Sequence, residues 1–112
     1  MAYKDDKRLE NNSPLPQRLL EARTRKGISQ RELGVRLGME PSSASGRMNH
    51  YEKGRHAPDF ATLKRMADEL DVPVAFFFGK DEMSAELICL IERLSNEDKK
   101  KLLLNLKRED EG

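Results

Sequence analysis

The side chains with the most chemistry to offer cluster in SASGRMNHYE, residues 43–52. Met48 and Tyr51 can turn inward, which leaves Ser45, Arg47, Asn49 and His50 nearer the solvent. These are hydrogen-bonding groups rather than a nucleophile with its base. A guanidinium can bond O6 and N7 of a guanine together, and a carboxamide can do the same with an adenine. Each such pair contributes about 1–3 kcal/mol of discrimination. A hydroxyl or an imidazole can reach base edges or phosphates. The plainer reading of each residue is a solvent-facing helix position or a phosphate contact. Lys53 and Arg55, in the turn that follows, suit phosphates, which position a protein without reading sequence. Gly46 would permit close approach to a nucleic-acid backbone, while weakening a helix by about 1 kcal/mol relative to Ala.

Other chemistries find little support. The chain has no phosphate-cradling Gly loop, metal-ligand cluster or nucleophile–base signature, so an enzyme is a poor reading. His50 and His56 lie close in sequence without a Cys or acidic set around them. No cofactor, metal or small-molecule substrate is implied. Cys89 is the one cysteine, and its apolar setting, LICLIERL, reads as a buried small residue rather than a reactive thiol.

Several helices must position these groups. Pro14 and Pro16 precede a first helix carrying Leu19, Leu20 and Arg23, closed by Gly27. Ser29 with Glu32 has the spacing of a capping box, in which the Ser hydroxyl accepts from the Glu N–H and the carboxylate reaches back. The second helix then runs from about Gln30 to Leu37, with Leu33 and Leu37 on one face. It ends at Gly38, which enters the left-handed conformation without strain. Pro41, Ser42 and Ser43 look like a helix entry, and the third helix includes at least Ser45 to Lys53. Asp59 is a natural N-cap for a fourth helix with Phe60, Leu63, Met66, Ala67 and Leu70 as its core stripe. Asp71-Val72-Pro73 breaks it. VAFFF follows as a short closing helix whose three Phe cannot all face one small core. Beyond it, Met83, Leu87, Leu90, Ile91 and Leu94 form an apolar stripe at helical spacing. Ser95 with Asp98 opens a last helix bearing Leu102, Leu103 and Leu106.

The runs ISQRELGVRLGM and MNHYEKGRHAPDFATLKRMADELDVP resemble the Cro/phage-repressor, or Xre-like, helix-turn-helix family. The shared signals are S-Q-x-E-L, Y-E-x-G, a Pro four residues past that Gly, and L-x-x-x-A-x-x-L-x-V-P. They span about Pro16 to Phe78. The resemblance implies an all-α fold: a five-helix lambda-repressor-like bundle, here followed by two C-terminal amphipathic helices. It implies that the third helix enters the major groove of double-stranded DNA, that Gln30 contacts a phosphate, and that Arg23 pairs with Glu52; Arg31 and Arg36 can add charge beside Gln30. It further implies a transcriptional regulator, expected to be a repressor on a palindromic operator. One departure is visible. About eight residues commonly separate the Gly after the second helix from the Tyr-Glu pair, whereas twelve lie between Gly38 and Tyr51. The surplus falls around Glu40–Ser45.

Composition fits such a reading. The chain has 112 residues, 37% charged, 37% hydrophobic and without Trp, so its core is small. The net charge is only +1, yet residues 18–65 hold eleven Lys and Arg against five Asp and Glu, a local +6. A basic module with acidic flanks suits a phosphate-facing surface. There is no membrane-spanning run and no signal-peptide pattern, and a reducing cytoplasm is expected. Three regions follow: an arm over 1–13, a DNA-binding unit over 14–80 and an extension over 81–112. The extension either folds back or, as favoured here, forms a homodimer through Leu87, Leu90, Ile91 and Leu94. The competing reading is a protein-interaction module using Phe76–Phe78 and the C-terminal helices.

Overall fold

The computed structural model describes residues 13–111, so the proposed arm, apart from Ser13, lies outside the described residues. The described residues are helical, without strands. They form α1 (Leu15–Lys26), α2 (Gln30–Arg36), α3 (Pro41–Glu52), α4 (Phe60–Leu70), a 3-10 turn at Val74–Phe78, α5 (Glu82–Glu92) and α6 (Asn96–Glu111). The five-helix bundle with two further helices is thus as the sequence implies, its fifth member being the 3-10 turn.

Local signals set the boundaries. The Ser13 hydroxyl accepts from the Leu15 N–H at 3.2 Å and starts α1 one residue before Pro16. Ser29 Oγ accepts from the Glu32 N–H at 2.9 Å, but the Glu32 carboxylate does not reach back to complete the capping box. The Glu32 carboxylate turns instead to Arg36, a turn along the helix, at 2.6 Å, where a charge partner outcompetes a backbone amide. Gly38 adopts φ +91° after α2 and Gly54 φ +74° after α3, the left-handed step that lets each chain reversal follow its helix directly. Asp59 and Asp81 cap α4 and α5, each at 2.8 Å from the N–H three residues on. Ser95 caps α6 at 3.1 Å.

The core is built on Leu19, Leu33, Ala44, Met48, Met66, Phe76 and Phe77, all under 2% exposed. α2 and α3 pack most extensively, while the 3-10 turn fills the space between α1 and α5. One expectation needs correction. Phe60 is 68% exposed rather than part of the α4 stripe. It is the first residue of α4, and helical side chains tilt toward the N-terminus, so its ring leans off the end of the body. The helix entry read at Pro41, Ser42 and Ser43 is where the third helix begins, so the surplus residues before Tyr51 lie within it. They are part of one continuous twelve-residue helix, α3, about one turn longer than the family spacing requires. Of the three Phe, Phe78 is the exposed one.

The C-terminal helices differ from the rest. α5 meets the body through Ala85 and Cys89, and burial pushes the Cys89 thiol up from its ordinary range. Its larger apolar residues, Met83, Leu87, Leu90 and Ile91, stay exposed, with Leu94 half-buried. No residue of α6 is buried. No helix among the described residues is long and apolar enough to cross a membrane.

Candidate nucleic-acid interface

α2 and α3 come together through a glycine. A Cβ on Gly34 would sit 2.7 Å from Ala44 Cβ, closer than side chains tolerate, so the two helices meet backbone to methyl. Ala44 and Met48 are both fully buried and fix which way α3 faces. Counting about 100° per residue, Gly46 lies some 200° from each and therefore on the crest of the helix. Ser42, Asn49 and Lys53, at three- and four-residue steps, share that crest. Ser45 lies on the flank toward α2. Arg47 lies on the other flank.

A set of polar contacts holds this arrangement. Arg23 of α1 pairs with Glu52 of α3 through Nε at 2.5 Å and Nη2 at 3.1 Å, and its Nη1 donates to the Ile28 carbonyl at 2.9 Å. The Glu52 side chain is 4% exposed. A carboxylate so buried is stabilised only while its partners stay in place, which ties α1, the α1–α2 turn and α3 into one frame. Gln30 joins the frame. Its Nε2 donates to Glu52 at 2.9 Å and to Asn49 at 3.2 Å, and its Oε1 lies 3.5 Å from the Ser45 hydroxyl.

The expected site residues therefore divide. Gln30, expected on a phosphate, has its amide spent on α3, because its first-turn position faces the polar flank of that helix. Asn49 is half-buried and already accepts from Gln30. Ser45, Arg47, Arg31, Lys53 and Arg55 are exposed. Arg47 lies along a cleft of about 260 Å³ with His50, Tyr51, His56 and Ala57. There the His50 and His56 rings stack with centroids 5.1 Å apart, and the Arg55 N–H donates to the His50 carbonyl at 2.9 Å, folding the turn back onto the helix. His50 is thus partly engaged by its neighbour across the turn. One residue and one role escaped the sequence reading. Ser42 belongs on the crest, which a count of 3.6-residue steps from Ala44 and Met48 would have found. Gln30 acts as an interhelix bridge, for which no sequence signal exists. Among the described residues no group of three or more His, Cys, Asp or Glu is arranged to hold a metal.

What this arrangement offers is a small-residue helix crest, flanked by Ser45 and Arg47 and followed by Lys53 and Arg55, on a rigid support. Comparison with known proteins agrees with it. A helix-turn-helix family model matches residues 19–77. The HTH-type transcriptional regulator ImmR of Bacillus subtilis (strain 168) is 31% identical over 70 residues, covering 62% of this chain and 52% of that protein. The chain thus matches about half the length of that curated relative. The crystal structure of the transcriptional regulator BswR aligns with a TM-score of 0.73 at 41% identity, covering 84% of this chain and 93% of that one.

Proposed function

The chain belongs to the helix-turn-helix family, and from that premise we propose that it is a sequence-specific regulator of transcription that binds double-stranded DNA as a homodimer and represses. In this reading α3 enters the major groove and α2 crosses the backbone. Ser45, Arg47, Asn49 and His50 face base edges, Asn49 keeping its bond to Gln30. Arg31, Lys53 and Arg55 meet phosphates. Gln30 changes role: its backbone N–H, at the start of α2, is left to face a phosphate while its side chain braces α3. Residues 14–80 form the reading unit and residues 81–112 the assembly unit. Two such units related by a two-fold axis read a palindromic operator with half-sites about one helical turn apart. Acting on chromosomal or phage DNA, the protein works in the cytoplasm.

The observation that carries this reading is the bracing of α3. A helix whose outer face is polar and whose inner face is locked by Gly34–Ala44 packing and the Arg23–Glu52 pair is a recognition surface, since rigid support is what fixes side-chain positions to the tolerance that base readout needs. The test is selection from a random duplex pool at two salt concentrations. Enrichment of a two-fold-symmetric sequence that persists at the higher salt is the expected result. Binding that disappears with salt and enriches nothing would leave only phosphate attraction and sink the proposal.

The exposed Phe78 and the α5 apolar stripe favour a second reading, an interaction module for another protein. Arg47→Ala separates the two. It abolishes regulation in the cell under the first reading and leaves it intact under the second.

A further inference from the structure

The Glu52 carboxylate sets a direction for the hydrogen bonds around it. Its Oε2 accepts from Arg23 Nε at 2.5 Å and its Oε1 from Arg23 Nη2 at 3.1 Å. Gln30 Nε2 also donates to Oε1, at 2.9 Å. Turning the Gln30 amide the other way would set its carbonyl oxygen against a carboxylate side chain only 4% exposed. Two acceptors facing each other away from water are both left unsatisfied. The Gln30 amide is therefore held one way round.

Two residues of α3 inherit that direction. An amide nitrogen carries two hydrogens, and the second one of Gln30 goes to Asn49 Oδ1 at 3.2 Å. This fixes the Asn49 amide in turn: its oxygen is spent toward α2, and the two Nδ2 hydrogens remain to be offered. On the other side, Gln30 Oε1 can only accept, and the Ser45 hydroxyl donates to it at 3.5 Å. With its proton turned to Gln30, Ser45 has lone pairs left to show. Ser45 and Asn49 stand four residues apart, one turn along α3, with opposite polarity.

The major groove distinguishes these polarities. Guanine presents two acceptors there, N7 and O6, and thymine presents one, O4. Adenine sets an amino donor beside its N7 acceptor, and cytosine presents only an amino donor. A free carboxamide suits adenine because it offers a donor and an acceptor together. Asn49 has no oxygen left to offer.

We infer that the Glu52–Gln30 relay sets base choice. Asn49 reads by donating, to guanine first and thymine second, and rejects adenine. Ser45 reads by accepting, from the exocyclic amine of cytosine or adenine. Gln30 is a positioning residue for both. This rests on the reading of α3 as the groove helix given above, and names the bases that face it.

Selection of the full chain against a random duplex pool tests it. Asn49→Ala locates the operator position that Asn49 reads, as the one whose preference it erases. There the parent protein is expected to favour guanine or thymine over adenine by about tenfold, the discrimination of a base-edge contact. Gln30→Met removes the relay at nearly constant length while Arg23 still holds Glu52. The Asn49 amide is then free to turn, and the preference at that position moves to adenine. A merely bracing Gln30 would lower affinity for every sequence alike and leave the preferred base as it was. The parent's own preference is one arm of the test, so the outcome does not depend on the variant folding. A parent that favours adenine or cytosine at that position overturns the relay and leaves the DNA-reading proposal standing. So does a Gln30→Met protein that keeps the parent's base, or an Asn49→Ala protein that keeps every preference. A parent that enriches no sequence overturns both.

Discussion

Arg47 and Lys53 are both exposed cations near α3, and the proposed function gives them different roles. If Arg47 reads a base, Arg47→Ala relaxes preference at one operator position by about 1–3 kcal/mol. Lys53→Ala weakens all sequences alike and lowers the salt slope by about one. Competition binding across single-base operator variants distinguishes the two. The two helix-interior glycines of this region make an opposed pair. Gly34→Ala drives a methyl to 2.7 Å from Ala44 and destabilises the fold by about 1–3 kcal/mol, despite the better helix propensity of alanine. Gly46→Ala meets nothing within 4 Å and stabilises the fold by about 1 kcal/mol. Urea titration of the two variants checks the signs. A stabilised Gly46→Ala protein that also binds its operator less well would show that the crest glycine serves the partner and not the fold. Glu52→Ala is the costliest of these changes. It strands a guanidinium only 14% exposed and removes the acceptor of Gln30, for a loss of about 3–5 kcal/mol.

Helix caps make the stability of the elements depend on pH. Asp59 and Asp81 accept hydrogen bonds at the starts of α4 and α5, and those bonds hold both carboxyls below the ordinary value of 3.8. A lowered folded pKa means the stabilisation is present above that value and drains away as pH falls through the folded one. The urea midpoint should therefore hold level down to about pH 4 and drop below it. Asp59→Asn keeps a capping oxygen but does not titrate, so it flattens part of the drop. Caps of this kind were legible in the chain. Ser29, Asp59 and Ser95 announce themselves by type and place, and so did the turns at Gly38 and Gly54. Legibility failed where geometry depends on a neighbour. Phe60 fits the α4 period, yet it projects from the helix start beyond the body. Gln30 looks like a free helix N-terminus until α3 is laid beside it. The four surplus residues near α3 were legible as a helix entry from Pro41 and the serines, but that the helix runs unbroken from there depends on Ala44 packing onto Gly34.

The whole molecule joins a tightly packed helical body to an extension whose larger apolar side chains stay exposed. The distinction is not one of composition, since both parts are amphipathic helices. It lies in which apolar faces find a cover within the chain. Leu87→Glu should leave far-ultraviolet circular dichroism and the melting of the core near those of the parent, because that side chain is 52% exposed, while lowering the molecular mass in light scattering from two chains to one. Operator affinity then falls by about 10²–10⁴, the gain that two linked half-site contacts give over one. An unchanged mass would exclude the α5 stripe from the dimer interface.

Cys89 is the one cysteine of the chain, 3% exposed against the body, and burial pushes its thiol up from the ordinary range. The molecule therefore contains a chemical clock. A thiol reagent cannot reach the sulfur until α5 lifts away, so the modification rate at low reagent counts the fraction of time that helix spends detached. Read with and without the DNA that the proposed function calls for, the same clock would report whether binding tightens the seat of α5 on the body.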